Sequence, residues 1–311
     1  VFQNDPPGST QEALVTASGI HAILYAFFDA EERLDRTAMR RQTDACLQAG
    51  VAGIAALGLA TEVAKLGVDE RRMVMDWVAE DVAGRVPVGF TIFGSSVAEQ
   101  VAMVRAAEAA GANWLILQPP AAGSYGAGEY LDYFSRVMES TALPVAIQNA
   151  PQYLGRGLGA DDIARLMQRH ANMTLIKAEG SAIEIERLIA TTEGRLRVFN
   201  GRGGLELTDN LRAGCSGFLL APDIVDHAVA IHRLHAAGEA EAAAAAYARI
   251  APSIVFVMQS IETLICYGKR LFAARLGLDV HDRAPALRPT EFGLNLVARH
   301  AAVLGRFPAE S

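Results

Sequence analysis

Short, wholly apolar runs recur along this chain. Between them lie longer stretches in which apolar residues return every three or four positions. The runs occupy 20–25, 52–58, 87–93, 113–117, 144–149, 173–177, 196–200 and 216–220. A strand that is apolar on both faces is buried on both faces, as in a parallel sheet covered by helices. The helical stretches fall at 36–49, 69–83, 96–110, 128–140, 160–170, 181–192, 204–213 and 222–237. Three junctions repeat: Ala49-Gly50-Val51, Ala110-Gly111-Ala112 and Ala213-Gly214-Cys215. Each glycine suits the end of a helix just before the next strand. Eight strand–helix units predict an α/β fold, a (β/α)8 TIM barrel. A doubly wound sheet, the competitor, would carry a glycine fingerprint after its first strand, and none follows 20–25.

The alternation stops after residue 237. Residues 239–250, 252–266, 267–277 and 290–304 read as helices with no strand between them, and so predict a C-terminal helical extension packed on the barrel. The expected division is an N-terminal arm at 1–18, a barrel catalytic domain at 19–237 and a helical domain at 238–311. The arm carries Pro6-Pro7-Gly8-Ser9 and lacks the basic and apolar regions of a signal peptide.

Composition narrows the function. A net charge of -7 argues against a nucleic-acid partner, which calls for a basic face. No apolar run looks long enough to cross a membrane, so no membrane partner is expected. Cys46, Cys215 and Cys266 are far apart and show no metal-ligand spacing. They read as reduced, buried thiols of a cytoplasmic protein.

In a barrel of this kind the chemistry sits at the C-terminal ends of the strands. Those ends are Tyr25, the loop Gly58-Leu59-Ala60-Thr61-Glu62, Phe93-Gly94, Gln118 to Tyr125, Gln148 to Tyr153, Lys177-Ala178-Glu179, Asn200-Gly201-Arg202 and Ala221-Pro222-Asp223. They hold no histidine and no cysteine, so neither a metal site nor a hydrolase triad is expected. They do hold Lys177, at the end of the apolar run Met173-Thr174-Leu175-Ile176. Lysine is scarce here: Lys65, Lys177 and Lys269 are the only three, and arginine carries the remaining positive charge. A desolvated lysine can lose its proton and attack a carbonyl, which a guanidinium cannot do. The alternative is a strand-end lysine that reaches out to solvent. Lys65 and Lys269 read as surface or helix-packing residues, and His21, inside the first strand, as a core residue.

Taken together, Gly58-x-x-x-Glu62-x-x-x-Leu66, Pro119-Pro120, Asn149-Ala150-Pro151, Ile176-Lys177-x-Glu179 and Gly201 with Ala213-Gly214-x-x-Gly217 resemble the dihydrodipicolinate synthase / N-acetylneuraminate lyase family of class I pyruvate-dependent lyases. The resemblance runs from about Gly19 to the C-terminal helices. It implies a homotetramer or homodimer, a small-molecule 2-oxo acid as partner, and an imine between Lys177 and that acid with no separate cofactor.

The chain departs from the family pattern in several places. The hydroxyls usual after the loop glycine give way to Leu59 and Ala60. The family tyrosines that would move protons fall on Ala121, Ala122 and Gln148. The arginine that holds the aldehyde carboxylate in the synthase falls on Tyr153, and Gly-Asp-Asp becomes Gly201-Arg202-Gly203. The strings around Gln148 and Lys177 look more like the branch of 2-keto-3-deoxy-sugar-acid dehydratases and aldolases.

The expected catalytic residues are therefore Lys177 as nucleophile, with Tyr153 or Tyr125 replacing the lost phenol. Glu62 and Glu179 are further candidate bases. Leu59, Ala60, Thr61, Gln148, Glu179, Gly201 and Arg202 are expected to bind substrate. The loop amides near Leu59-Ala60 would take its carboxylate, and Arg202 a distal carboxylate or phosphate. Three functions stay open: a Schiff-base lyase on pyruvate or a 2-keto-3-deoxy sugar acid, a barrel that binds a 2-oxo acid without turnover, and dihydrodipicolinate synthase proper.

Overall fold

The computed structural model describes residues 18–308, so most of the arm expected at 1–18 lies outside the described residues. Eight strands form one closed, all-parallel barrel in sequence order. They are β1 (Gly19–Ile23), β2 (Gly53–Ala56), β3 (Val88–Ile92), β4 (Trp114–Leu117), β5 (Val145–Asn149), β6 (Met173–Ala178), β7 (Arg197–Asn200) and β8 (Gly217–Leu220). Almost every strand residue is buried, as the two-sided apolar runs require.

The outer helices are α1 (Arg36–Gln48), α2 (Val68–Val82), α3 (Val97–Ala109), α4 (Ala127–Met138), α5 (Ala160–Arg169), α6 (Ala182–Thr191), α7 (Leu207–Arg212) and α8 (Val225–Ala236). Their starts follow from local chemistry. Asp35 and Ser96 each accept an N–H of the first turn. Ser181 and Glu184 cap each other's backbone at the start of α6, two bonds that satisfy otherwise orphaned donors. Their ends use the repeated glycines: Gly50, Gly111 and Gly214 all take φ between +80° and +92°, which a Cβ disfavours.

The barrel interior below the site is filled by pairing rings with glycines. His21, Trp114 and Phe199 lie in register with Gly53, Gly89 and Gly217 on the adjacent strands. A Cβ on any of these glycines would come within 2.6 Å of the ring beside it or closer, so the rings occupy the space the glycines leave. His21 meets the Trp114 and Phe199 rings edge-on at centroid distances of 5.8 and 5.1 Å. Burial pushes it down to about 4, so it is a neutral core residue.

After the barrel come α9 (Ala240–Val257), α10 (Lys269–Leu276) and α11 (Glu291–Leu304). The expected break before Pro252 is absent, because α9 runs through it. Proline costs one backbone bond there, while Ile250, Ser253, Ile254 and Val257 stay buried. The chain breaks instead at Ser260, whose side chain accepts from the Thr263 N–H while Thr263 accepts from the Ser260 N–H. A π-helical turn, Leu264–Gly268, then leads into α10. By length and composition α9 is apolar enough to cross a membrane, contrary to the expectation from sequence. In this fold it packs along α8.

Buried ion pairs fix these helices to the barrel. Arg275 pairs with Asp226, and Lys269 pairs with Glu62 in the β2 loop. The expectation that Lys269 is a surface or helix-packing residue is corrected: its side chain is fully buried, and desolvation holds it below the usual lysine range against the pull of Glu62. Both Glu62 oxygens are engaged, one by Lys269 and the other by Lys65 at 2.6 Å. Glu62 is therefore committed to structure rather than free to act as a base.

Candidate active site

β6 carries Lys177 in register with Gln148 of β5 and Phe199 of β7. The Lys177 side chain is 5% exposed, so the reading in which it reaches solvent does not hold. Its Nζ lies 2.9 Å from Glu179 Oε1. Gln148 Nε2 donates to the same oxygen at 2.7 Å. Behind it, Gln118 Nε2 donates to Gln148 Oε1 at 2.8 Å, and Gln100 Nε2 of α3 donates to the Gln118 carbonyl at 2.8 Å. A buried polar chain thus crosses from α3 through the ends of β4 and β5 to the lysine.

Lys177 and Glu179 open onto a cavity of about 30 Å³. Leu59, Ala60, Gly201 and Arg202 line it from the barrel, and Met258, Ile261 and Leu264 close it from the C-terminal segment. That is room for about two water molecules, so a 2-oxo acid would also use the open mouth of the cavity or displace lining side chains. Met258 is the tightest of them. It lies so close against Gly203 that a Cβ there would overlap Met258 Cγ and Sδ.

The β2 loop has an unusual backbone. Leu57 and Glu62 take φ of 65° and 55°, in the left-handed region that side chains rarely adopt. Thr61 Oγ1 donates to the Leu24 carbonyl at 2.5 Å, and the ion pairs of Glu62 tie down the far end. The turn so fixed places Leu59 and Ala60 against the cavity. Among the described residues neither of their amides donates to a protein acceptor. Thr61, its hydroxyl spent on the Leu24 carbonyl, is not among the residues lining the cavity.

The two candidate phenols part company. Tyr153, on the helical turn Pro151–Leu154, is half-buried and lies near the Arg202 side chain. Burial and then the charge of Glu179 raise it above the ordinary phenol range, and Arg202 opposes them. Arg202 donates through Nη1 to the Gly180 carbonyl at 3.1 Å and to Glu206 at 2.6 Å. Arg202 lines the lysine cavity, whereas Tyr153 is not among the cavity's lining residues.

Tyr125 lies apart, 52% exposed, its ring edge-on to Tyr130 at 5.9 Å and its N–H donated to the Tyr130 hydroxyl. It does not line the lysine cavity, and its nearness in sequence to the lost family tyrosines did not carry over into space. Tyr125→Phe is expected to leave the rate of Lys177 modification by pyruvate and borohydride within about twofold of the parent, as for other exposed substitutions. A tenfold loss would place that phenol in the site. Tyr25, at the end of β1, donates to Asp223 at 2.7 Å and is pushed well above its ordinary range by burial and by Asp223. Asp223 is raised to about 6 by burial.

Reading the sequence missed two contributions. Gln118 stood in a strand-end loop without a role, although glutamines at the ends of adjacent apolar strands were a visible signal. The three C-terminal side chains that close the cavity gave no signal, since apolar residues in a helix point equally well to ordinary packing.

A model of the dihydrodipicolinate synthetase family matches residues 16–297. A 4-hydroxy-tetrahydrodipicolinate synthase of Xanthomonas campestris is 32% identical over 207 residues, 66% of this chain and 68% of that protein. An L-2-keto-3-deoxyarabonate dehydratase of Azospirillum brasilense is 28% identical over 207 residues, 64% of this chain and 66% of that one. Among solved structures, YagE of Escherichia coli K12, crystallised in complex with pyruvate, superposes with a TM-score of 0.84 at 23% identity, covering 92% of this chain and 97% of its own. With the closed barrel, the C-terminal helices and the strand-end lysine in place, the chain belongs to the dihydrodipicolinate synthetase family of lyases.

Proposed function

We propose that this protein is a class I lyase that forms an imine between Lys177 and a 2-oxo acid, either pyruvate or a 2-keto-3-deoxy sugar acid. The observation that carries the reading is the buried contact of 2.9 Å between Lys177 Nζ and Glu179 Oε1, in a cavity also lined by Leu59 and Ala60, whose amides donate to no protein acceptor among the described residues. The pyruvate complex of YagE, a family member, agrees with a 2-oxo acid ligand.

The chemistry then follows from proton positions. The ammonium of Lys177 passes a proton to Glu179, which leaves a neutral amine and a carboxylic acid. The amine adds to C2 of the keto acid, and Glu179 returns the proton to the departing hydroxyl, so that water leaves and the iminium forms. The Leu59 and Ala60 amides hold the substrate carboxylate. The ionised Glu179 next removes a proton from C3, and the enamine results. The enamine can add to an aldehyde or, run in reverse, release one. It can also expel a C4 hydroxyl, which is dehydration. The similarity to the keto-deoxy-sugar-acid dehydratase favours the sugar-acid branch over dihydrodipicolinate synthase proper, where Tyr153 would have to stand in for an arginine.

The alanines and glutamine at the family's proton-moving tyrosine positions, Ala121, Ala122 and Gln148, favour a second reading, in which the imine forms but turnover is lost. Exchange of the pyruvate methyl protons in D2O, followed by NMR, separates the two, because exchange requires the enamine. The protein is expected to catalyse exchange, and Glu179→Gln to slow it about a hundredfold, the usual loss on removing a general base. Adduct formation without exchange would favour the binding-only reading. Undiminished exchange in Glu179→Gln would remove Glu179 from the mechanism.

A further inference from the structure

We infer that Gln118, acting through Gln148, is the positioning residue that keeps the Glu179 carboxylate hydrogen-bonded and aimed at Lys177. The inference rests on the imine reading above. Gln118, Gln148, Glu179 and Lys177 are all buried, and each touches the next. An ionised carboxylate only accepts hydrogen bonds, so Gln148 must turn its NH2 toward Glu179. Its Oε1 then faces Gln118 and needs a donor, which the Gln118 NH2 supplies.

The orientation of the chain is thereby set from both ends. Turning the Gln148 amide over would place its oxygen against the carboxylate and its NH2 against that of Gln118, so that two buried bonds are lost and two repulsions gained. Gln100 fixes the strand end that carries Gln118 by donating to its backbone carbonyl. Neither amide titrates near neutral pH. The chain therefore steadies Glu179 without itself exchanging a proton with it.

The other charged or titratable groups toward Glu179 are Tyr153 and Arg202 on the neighbouring loops and, around a second cavity that Glu179 also borders, Asp161, Asp162, Arg165, Glu184 and Arg187. The C-terminal segment brings only the apolar Met258, Ile261 and Leu264 to the same cavity. None of these supplies the donor that Gln148 does.

The test is the pH profile of pyruvate methyl exchange in D2O. Gln118→Met keeps the side-chain length and removes the donor. Gln118→Glu supplies an acceptor and draws the Gln148 NH2 away from Glu179. Both are expected to move the acidic limb of the profile up by about one pH unit, since a hydrogen bond to a charged group is worth about that much, while the rate on the alkaline side stays within about threefold. Gln148→Met is expected to give the same shift, and the Gln118→Met/Gln148→Met double variant no larger one, because the two side chains act as a single support. An unmoved limb in folded variants, or additive shifts in the double variant, would overturn the inference. If the parent itself shows neither exchange nor a borohydride-trapped adduct, the imine reading fails first and this inference with it.

Discussion

Replacing Lys177 by methionine is expected to abolish covalent capture of pyruvate and to lower turnover by roughly four orders of magnitude or more, the scale seen when a covalent nucleophile is deleted. Methionine fills nearly the same space without an amine, so the loss reports chemistry and not a cavity. Lys177→Arg is expected to be equally inactive although it keeps the positive charge beside Glu179, because a guanidinium neither deprotonates in a protein nor attacks a ketone. The pair of variants separates nucleophile from electrostatic anchor. If Lys177→Arg retained turnover within tenfold, the lysine would be serving only as a cation and the imine account would fall. Circular dichroism and a thermal melt on each variant show whether the barrel is intact.

The largest expected effect on stability lies away from the chemistry, at Lys269. Its ammonium is fully buried and meets Glu62, which is itself buried at the end of the β2 loop. Lys269→Met leaves that carboxylate with Lys65 alone, and breaking a buried pair from one side is expected to cost about 3 kcal/mol. Denaturant unfolding would measure it. The double variant Lys269→Met/Glu62→Met is expected to recover most of the loss, since Lys65 is partly exposed and can turn to solvent once its partner is gone. A double variant as unstable as the sum of the two single ones would mean that the pair stabilises through packing rather than through charge. The effect also reaches the site. The two lysines hold Glu62, Glu62 holds the turn, and the turn places Leu59 and Ala60 against the cavity.

What the sequence makes legible depends on which physical rule governs each residue. The strands are visible because a barrel strand is apolar on both faces, and that leaves short unbroken runs. The junction glycines are visible because a helix end needs a residue that tolerates positive φ. Lys177 stands out through scarcity and position.

The C-terminal helices are less legible. A proline reads as a stop, but the buried face of α9 carries the helix past Pro252, and the break comes at the self-capping Ser260. Helical spacing does not say which packed face hides a charge, so the burial of Lys269 leaves no mark in the local sequence. Sequence distance puts Tyr125 near the lost family tyrosines, whereas its loop folds it onto Tyr130. Gln118 escapes notice because an amide has no chemistry of its own. Its place comes from partners at the ends of two neighbouring strands, and pairing across strands is written in the register rather than in the local sequence.

The central claim, that Lys177 is an imine-forming nucleophile, is tested most directly by borohydride reduction in the presence of pyruvate, followed by peptide mass spectrometry of the folded protein. A single reduced pyruvyl adduct on the Lys177 peptide, absent without pyruvate and absent in Lys177→Met, is the predicted result. An unmodified Lys177 peptide with pyruvate and with longer 2-oxo acids, or an adduct on Lys65 or Lys269 instead, would contradict it.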